Sequence, residues 1–396
     1  MRVYMERCKQ ACLNNCSCKA AFFQYLNASS GACFLPSEIF TMKTVDAYPN
    51  VTAFIKVQRY QKPKKSHPIA VIITSIIGTS LFLLVVEEYI DAVPGLPTWF
   101  TYEELKTATE NFSNKLGQGG FGSAFEGTLE DDSKIAVKFL DGLGQINKSF
   151  LAEVESIGSI HHVNLVRLRG FCAWKSQRFL VYDFMSNDGS LDRWIYHGNQ
   201  EHILECQCRK KIVLDIAKGL TYLHEGCVQK IIHLDIKPQN ILLDKDFNAK
   251  VSDFGLSKLI DRDQSHVMTT MRGTPGYMAP EWLSSVITEK VDVYSFGIVL
   301  LEILCGRRNF DRSHQPEESW HLLGVFQQCW EQGTLLDIVD KYSEDMQTHG
   351  SEVVEMMKVA AWCLQTNYTR RPSMSSVVLV LERTDEGLQE LVKRMC

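Results

Sequence analysis

The sequence predicts an α+β fold for a large C-terminal domain, preceded by one membrane-spanning helix and a small cysteine-rich module. Three observations lead to this prediction. First, strand-like apolar runs follow a glycine-rich segment near residue 120, and helical periodicity comes after them. Second, residues 69–86 carry no charge. Third, five of the 13 cysteines lie near the start of the chain. A chain of 396 residues with 45% apolar side chains has room for a two-lobed domain and these additional segments.

Residues 1–58 form the predicted cysteine-rich module. Their density of cysteines is typical of an oxidising compartment and a disulfide-bonded module, although the odd count leaves one thiol free or paired elsewhere. The cysteines are Cys8, Cys12, Cys16, Cys18 and Cys33. Zinc ligation is the alternative, but a zinc site needs a second pair of ligands at a defined spacing, and Cys33 stands alone.

Residues 8–34 are similar to the later part of the PAN/apple domain that S-domain receptors carry beside the membrane. This similarity implies an extracellular module. Three N-x-S/T sequons in it agree with a glycoprotein, but three more lie in the C-terminal domain, so the sequons carry little weight.

Residues 69–88 are the predicted transmembrane helix, between a basic linker at 59–68 and a cytoplasmic linker at 89–110. At ~1.5 Å per residue, the uncharged part would span roughly 27 Å, the short end for a bilayer crossing. A buried helix of a soluble domain is the alternative. We favour a single-pass protein of the plasma membrane, in contact with the lipid bilayer, because the two flanking domains need different compartments.

A glycine-rich segment opens the C-terminal domain. It consists of Leu116, Gly117, Gln118, Gly119, Gly120, Phe121 and Gly122, followed by Ser123 and Ala124. Glycines allow backbone N–H groups to approach phosphate oxygens closely. A glycine-rich hairpin or a dinucleotide-binding turn would show the same pattern. The strand-like run that ends at Lys138 argues against a dinucleotide fold, in which a helix begins directly after the glycines.

A helical face follows this strand. Phe150, Val154 and Ile157 recur at i, i+4 and i+7. Glu153 lies at the edge of that face and can point inward.

The most informative stretch of the chain contains Asp235, Lys237, Asn240 and Asp253. The carboxylate of Asp235 can accept a proton from an incoming hydroxyl, and oxygens of Asn240 and Asp253 can hold Mg²⁺. Taken singly, Asp and Asn are common turn formers. The order and spacing of all four residues suit phosphoryl transfer from ATP.

These motifs resemble those of eukaryotic protein kinases over residues 111–383, including Ala279–Glu281 at the end of an activation segment. The resemblance implies a bilobal kinase fold that uses ATP as co-substrate and Mg²⁺ as cofactor. It implies that Asp235 and Lys237 are catalytic and that Asn240 and Asp253 bind the metal. The implied ATP site comprises Leu116, Gly117, Gln118, Gly119, Gly120, Phe121, Gly122, Ser123, Ala124, Lys138, Glu153, Asp183 and Met185.

The same resemblance assigns supporting roles outside the ATP site. It implies that Glu153 pairs with Lys138 and that Tyr182 is the gatekeeper. It also implies that Asp292 tethers the backbone of the catalytic loop and that Arg371 pairs with Glu281. It also makes His233 a packing residue rather than an acid or base.

Three segments narrow the family. Trp99–Leu105 resembles the lead-in of plant receptor-like kinases, while Lys115–Gly127 and Arg167–Cys172 resemble the S-domain (G-type lectin) subgroup. Lys237 and Thr274 match the pattern of Ser/Thr specificity. The implied partners are protein substrates with Ser/Thr hydroxyls and co-receptors. The net charge of −5 gives no indication of nucleic-acid binding.

Two residues depart from the kinase pattern. Leu234 replaces the arginine that would gather a phosphorylated activation loop, which changes regulation more than chemistry. Ala124 replaces a valine above the adenine, a loss of ~1–1.5 kcal/mol if that contact is buried. The alternatives to an active kinase are a nucleotide-binding pseudokinase scaffold and a carbohydrate-binding receptor. The complete set of catalytic side chains argues against the pseudokinase.

The charges that flank the predicted transmembrane helix favour a membrane orientation opposite to the one that the two domains require. Four basic residues lie within 59–68 and three acidic residues within 87–91, so the positive-inside rule favours an N-terminal side in the cytoplasm. We expect the reverse, because kinase chemistry needs cytosolic MgATP. Residues 1–10 lack the apolar stretch of a signal peptide, so we expect upstream signal, lectin and S-locus regions to be missing. Residues 384–396 are the predicted C-terminal tail.

Overall fold

The computed structural model contains two compact units, residues 1–83 and 84–396. The structure describes residues 3–15, 18–27, 30–36, 51–55, 97–120, 122–141, 146–158, 160–186, 189–196, 203–261, 271–284, 287–311 and 320–382. Phe121, the predicted transmembrane helix at 69–88 and the tail at 384–396 lie outside these ranges. Within them, no helix is both long and apolar enough to cross a membrane.

The first unit is a helix on a small antiparallel sheet, with strand order β2-β1-β3. Its elements are α1 (Met5–Asn14), β1 (Ala20–Tyr25), β2 (Gly31–Phe34) and β3 (Val51–Ile55). Cys8 and Cys12 face inward from the helix and pack against Phe23 of the central strand. A core this small needs covalent support.

Two disulfides provide that support. They join Cys8 to Cys33 and Cys12 to Cys18, with Cα–Cα distances of 5.7 and 5.3 Å. The predicted disulfide-bonded module is thus present. Because these four cysteines are oxidised, none of them can bind zinc as a thiolate. Cys16, the fifth, lies outside the described residues.

The second unit begins with a six-stranded sheet in the order β4-β8-β9-β7-β6-β5. Its strands are β4 (Thr98–Trp99), β5 (Lys115–Gly119), β6 (Gly122–Thr128), β7 (Lys134–Leu140), β8 (Leu168–Trp174) and β9 (Gln177–Asp183). Only the short β4 pairs in parallel, with β8, and the other pairs are antiparallel. The sheet is covered on both faces, which is why its central strands are apolar on both sides.

One helix lies on each face of this sheet. Phe150 and Ile157 of α3 (Ile146–Ile157) belong to the same core as Leu180, whereas Leu105 of α2 (Tyr102–Ala108) packs with Phe179 and Val181 on the opposite face. Adjacent residues of a strand point to opposite faces, so β9 serves both cores.

Helix α2 belongs to the stretch that the sequence assigns to a linker. Thr101 caps it through a capping box with Glu104, and the Tyr102 ring stacks on Trp174 with centroids 4.2 Å apart. Leu105 is fully buried. Residues 98–108 therefore form an ordered layer on the sheet.

The remainder of this unit is mainly helical. Its helices are α4 (Asp192–Ile195), α5 (Cys206–Thr221), α6 (Lys290–Cys305), α7 (Leu322–Gln332), α8 (Glu344–Thr348), α9 (Gly350–Cys363) and α10 (Met374–Glu382). Helix α6 is buried on all sides, as its continuous apolar sequence predicts. A turn of π-helix at Tyr222–Gly226 extends α5.

Two short hairpin-like pairs lie between α5 and α6. Their strands are β10 (Lys230–Ile232), β11 (Ile241–Leu243), β12 (Ala249–Val251) and β13 (Lys258–Ile260). Strand β10 pairs with β13, and β11 pairs with β12. The polar residues of the catalytic motif lie in the connections between these strands.

Candidate active site

A cleft of about 780 Å³ lies between the sheet and the helical part of the second unit. Its walls come from the glycine-rich hairpin, β7, the connection after β9, and the loops beside β11 and β12. The predicted ATP-site residues that line it are Leu116, Gly117, Gln118, Gly119, Gly120, Gly122, Ala124, Lys138, Glu153, Asp183 and Met185. Such a volume suits a nucleotide-sized ligand.

Strand register explains which residues of the hairpin face this cleft. Ala124 of β6 lies directly opposite Lys138 of β7, and paired residues share one face of a sheet. Ser123 is paired with Phe139 instead and does not line the cleft. Its place in the ATP site therefore stays a prediction from the resemblance. Phe121 lies outside the described residues.

Lys138 connects both acidic side chains of the cleft. Its Nζ lies 2.8 Å from Oδ1 of Asp253 and 3.5 Å from Oε2 of Glu153. Burial disfavours its charge, but the two carboxylates outweigh burial and raise the pKa of Lys138. The predicted contact with Glu153 is present, and the shorter contact is to Asp253.

Glu153 is held by more than its lysine. The Tyr182 hydroxyl and the backbone N–H of Phe254 both donate hydrogen bonds to Oε1 of this fully buried carboxylate. Burial raises the pKa of Glu153, and Lys138 opposes that rise. The sequence pattern identifies Tyr182 as the gatekeeper but not as a donor to Glu153, because the two residues meet only through packing of α3 on β9.

The backbone of the catalytic loop is fixed by Asp292 of α6. Its carboxylate accepts hydrogen bonds from the backbone N–H groups of His233 and Leu234, both at 2.8 Å, and contacts Nε2 of His224 at 2.9 Å. The predicted tether is thus confirmed. His233 packs edge-on against Phe254, as expected for a packing residue.

Three side chains surround the carboxylate of Asp235. Thr274 Oγ1 donates to Oδ1 at 2.6 Å, Lys237 Nζ donates to Oδ2 at 2.7 Å, and Asn240 Nδ2 donates to Oδ2 at 3.0 Å. Lys237 also donates to Thr274 at 2.8 Å. The carboxylate is therefore held in one orientation by a network of donors. A general base needs such a fixed position, within hydrogen-bond reach of the proton that it accepts.

Asn240 and Asp253 fit a hard divalent cation by their donor atoms. The Asn240 amide nitrogen faces Asp235, which leaves its Oδ1 for a cation, and Asp253 lines the same cleft. Burial raises the pKa of Asp253, but Lys138 more than compensates and holds it below the ordinary value. Asp253 also adopts a left-handed backbone (φ 66°), which is unusual for a non-glycine residue and common at functional sites.

The end of the activation segment is anchored by a buried ion pair. Arg371 donates to both carboxylate oxygens of Glu281, at 2.6 and 2.8 Å, as the sequence predicts. Leu234, where an arginine is expected, is 6% exposed and packs in an apolar cluster with Ile260 and Trp282. The position therefore contributes to packing and carries no phosphate-binding charge.

The family model described as "Protein kinase domain" matches residues 111–380. Together with the tether, the lysine–carboxylate contacts and the ordered catalytic loop, this match shows that the chain belongs to the protein kinase family.

Within the protein kinase family, the similar proteins place this chain among the receptor-like serine/threonine-protein kinases. The G-type lectin S-receptor-like serine/threonine-protein kinase SD2-5 of Arabidopsis thaliana is 46% identical over 96% of this chain and 50% of its own length. The G-type lectin S-receptor-like serine/threonine-protein kinase At5g24080 of the same plant is 39% identical over 97% of this chain and 47% of its own length. "Probable receptor-like protein kinase At5g20050" from that plant is 42% identical over 82% of this chain and 74% of its own length. The chain thus spans about half the length of the first two.

Proposed function

We propose that this chain is an active, membrane-anchored receptor-like kinase that transfers the γ-phosphate of ATP to Ser or Thr hydroxyls of proteins. The arrangement of Thr274, Lys237 and Asn240 around the Asp235 carboxylate is the observation that supports it best. A scaffold that only binds nucleotide has no need of a carboxylate oriented toward an incoming hydroxyl.

In this mechanism Asp235 accepts the proton of the acceptor hydroxyl as that oxygen attacks the γ-phosphorus. Lys237, beside it, offers a positive charge to the phosphoryl group in transfer. Lys237 also donates a hydrogen bond to Thr274. This pair matches the pattern of Ser/Thr specificity in the family, which supports Ser and Thr as acceptors.

The other wall of the cleft positions the nucleotide. Backbone N–H groups of the glycine-rich hairpin approach the phosphates. Lys138, in contact with Glu153 and Asp253, offers its positive charge to the α- and β-phosphates. Backbone groups at Asp183 and Met185 read the adenine edge. Asn240 and Asp253 would hold Mg²⁺, which neutralises phosphate charge when bound.

Membrane anchoring and orientation are further parts of the proposal. The two disulfides of the first unit support an extracellular position, since such bonds persist in oxidising compartments. The relatives' names, S-receptor-like serine/threonine-protein kinases, support a receptor. The plasma membrane is its proposed location. Protein substrates, co-receptors and the lipid bilayer are the proposed partners.

Phosphoamino-acid analysis of the full chain tests the reaction class. The purified chain is incubated with labelled ATP, Mg²⁺ and a degenerate peptide set containing Ser, Thr or Tyr acceptors. We expect label on Ser and Thr. The control variant Asp246→Asn changes an exposed carboxylate on the loop between β11 and β12, and it should transfer phosphate as the wild-type chain does. Nucleotide binding without any transfer would establish a pseudokinase instead, and label on Tyr alone would contradict the assigned specificity.

A further inference from the structure

A stripe of buried polar side chains runs along helix α3, beside its apolar face. It consists of Ser149, Glu153 and Ser156, which lie at i, i+4 and i+7 and are all buried. This spacing places the three side chains on one face of the helix. Buried polar groups need hydrogen-bond partners, so another part of the chain has to cover the stripe. Glu153 already has a role in the cleft, whereas the mechanism proposed above uses neither serine.

The segment 253–257, which includes one of the proposed metal ligands, covers this stripe. Near its start, the backbone N–H of Phe254 donates to Oε1 of Glu153 at 3.2 Å. At its end, the Oγ atoms of Ser156 and Ser257 lie 2.6 Å apart, across a sequence separation of 101 residues. Both serines are only 2% exposed, so water does not compete for this contact.

The direction of the hydrogen bond between the two serines follows from the number of protons available. The Oγ of Ser257 also lies 2.7 Å from the carbonyl oxygen of Phe254. A carbonyl has no proton to give, so the single hydroxyl proton of Ser257 lies in that bond. The hydroxyl of Ser156 therefore donates the proton of the bond to Ser257. Helix α3 is the donor, and the segment 253–257 is the acceptor.

These contacts connect both polar backbone groups of Phe254 to α3. Its N–H contacts Glu153 directly, and its carbonyl is linked to Ser156 through Ser257. The preceding residue, Asp253, has a left-handed backbone (φ 66°), which persists only where the surrounding structure holds it. The two links provide this restraint, and they limit the directions in which the Asp253 carboxylate can point.

We propose that Ser156 and Ser257 are positioning residues for the metal ion: their hydrogen bond holds the segment 253–257 against α3 and so keeps Asp253 in place for Mg²⁺. The proposal rests on the kinase function proposed above and deepens it. Neither serine lines the nucleotide cleft, so both act through Asp253. It follows that losing the bond should weaken nucleotide binding only when Mg²⁺ is present.

The test measures the Kd of a non-hydrolysable ATP analogue for the full chain by equilibrium binding, once with saturating Mg²⁺ and once with a metal chelator. We expect the wild-type chain to bind more tightly with Mg²⁺. Ser156→Ala and Ser257→Ala should each raise the Kd with Mg²⁺ by about fivefold, as expected for one lost hydrogen bond, and leave the metal-free Kd unchanged. The double variant should match the single variants, because all three lack the same bond.

Ser343→Ala is the matched control for a purely structural effect. Ser343 is similarly buried (4% exposed), accepts a hydrogen bond from the backbone N–H of Met346 and does not line the cleft. Its loss should lower the melting temperature without changing either Kd. If one of the two serine variants fails to fold, the other provides the same comparison.

An unchanged Kd with Mg²⁺ in the serine variants would overturn the inference. So would an equal rise in both Kd values, a double variant whose effect is the product of the single effects, or a wild-type Kd that does not depend on Mg²⁺. Transfer to a Ser/Thr peptide is measured on the same preparations. A wild-type chain that binds the analogue in a Mg²⁺-dependent way but transfers no phosphate would overturn the proposed kinase function, while the Kd values would still decide the inference.

Discussion

The catalytic side chains are the part of the molecule that local sequence describes best. Asp235, Lys237 and Asn240 lie within one loop, so their spacing in the chain nearly determines their spacing in space. Asp253 joins them through the β11–β12 hairpin, whose strands pair in register and return the chain to the cleft. The sequence therefore predicts that these residues lie close together, while their catalytic and metal-binding roles stay predictions.

Contacts between distant residues were predictable only where a family motif marks both partners, as it does for Arg371 and Glu281. The bond from Tyr182 to Glu153 depends on how α3 packs against β9. Arg209, fully buried, donates to Asp340 at 2.6 Å across a sequence separation of 131 residues, and no motif marks either residue. Glu302 of α6 is a further example. It accepts a hydrogen bond from Tyr196 across 106 residues, and the apolar helix sequence around it does not indicate this partner.

Leu234 gives a prediction at the residue scale. An arginine in that position gains order when a phosphate on the activation loop pairs with it, about 1.5–3 kcal/mol per charged hydrogen bond. Here the side chain packs with Ile260 and Trp282 instead. Replacing the three loop hydroxyls, Ser265, Thr269 and Thr270, with alanine should therefore change kcat/KM for ATP and peptide only a few-fold.

These three residues lie outside the described ranges, so the prediction depends on Leu234 alone. The triple-alanine variant is compared with the parent chain in the same assay. Thr274 stays unchanged, because its hydroxyl contacts Asp235 and Lys237. A hundredfold loss would show that another basic residue, Arg272 or Arg262, binds a loop phosphate.

At the scale of elements, helix α2 is the clearest addition to the sequence-based description. Gly170 of β8 approaches the lead-in so closely that a Cβ there would lie 2.1 Å from the carbonyl of Thr98. The pattern of Trp99–Leu105 resembles a family lead-in but does not reveal which surface the segment covers. Its docking depends on Leu105 entering the core formed by Ile135 and Val181.

Truncation of Leu105 tests this docking. Leu105→Ala removes a fully buried side chain and should lower the free energy of unfolding by roughly 2–5 kcal/mol. For a domain of this size that corresponds to a fall in Tm on the order of 5–10 °C. Leu151→Ala, at a leucine of α3 that is 51% exposed, should leave Tm nearly unchanged. Equal melting temperatures for both variants would mean that α2 does not stabilise the sheet.

At the scale of the whole molecule, the chain joins a disulfide-bonded unit to a kinase domain. We propose that these parts lie in different compartments, because disulfides persist in oxidising surroundings and the kinase needs cytosolic ATP. The charges around residues 69–88 favour the reverse orientation. The two physical arguments make opposite predictions about topology.

Protease protection in sealed microsomes distinguishes the two predicted membrane orientations. With tags at both ends of the full chain, we expect the N-terminal tag to be protected and the C-terminal tag to be digested. Detergent permeabilisation, as the control, should expose both tags. Protection of the C-terminal tag would show that the flanking charges determine the orientation.

The account as a whole depends on Asp235 being the proton acceptor in phosphoryl transfer. The most direct measurement compares Asp235→Asn with the wild-type chain for transfer to a Ser/Thr peptide and, in parallel, for ATP affinity by equilibrium binding. Lys138→Met, which removes the lysine that we propose binds the phosphates, should lose transfer together with productive ATP positioning. We expect Asp235→Asn to abolish transfer while ATP binding stays largely intact, because the side chains of the nucleotide wall are untouched. Wild-type turnover in Asp235→Asn would contradict the account.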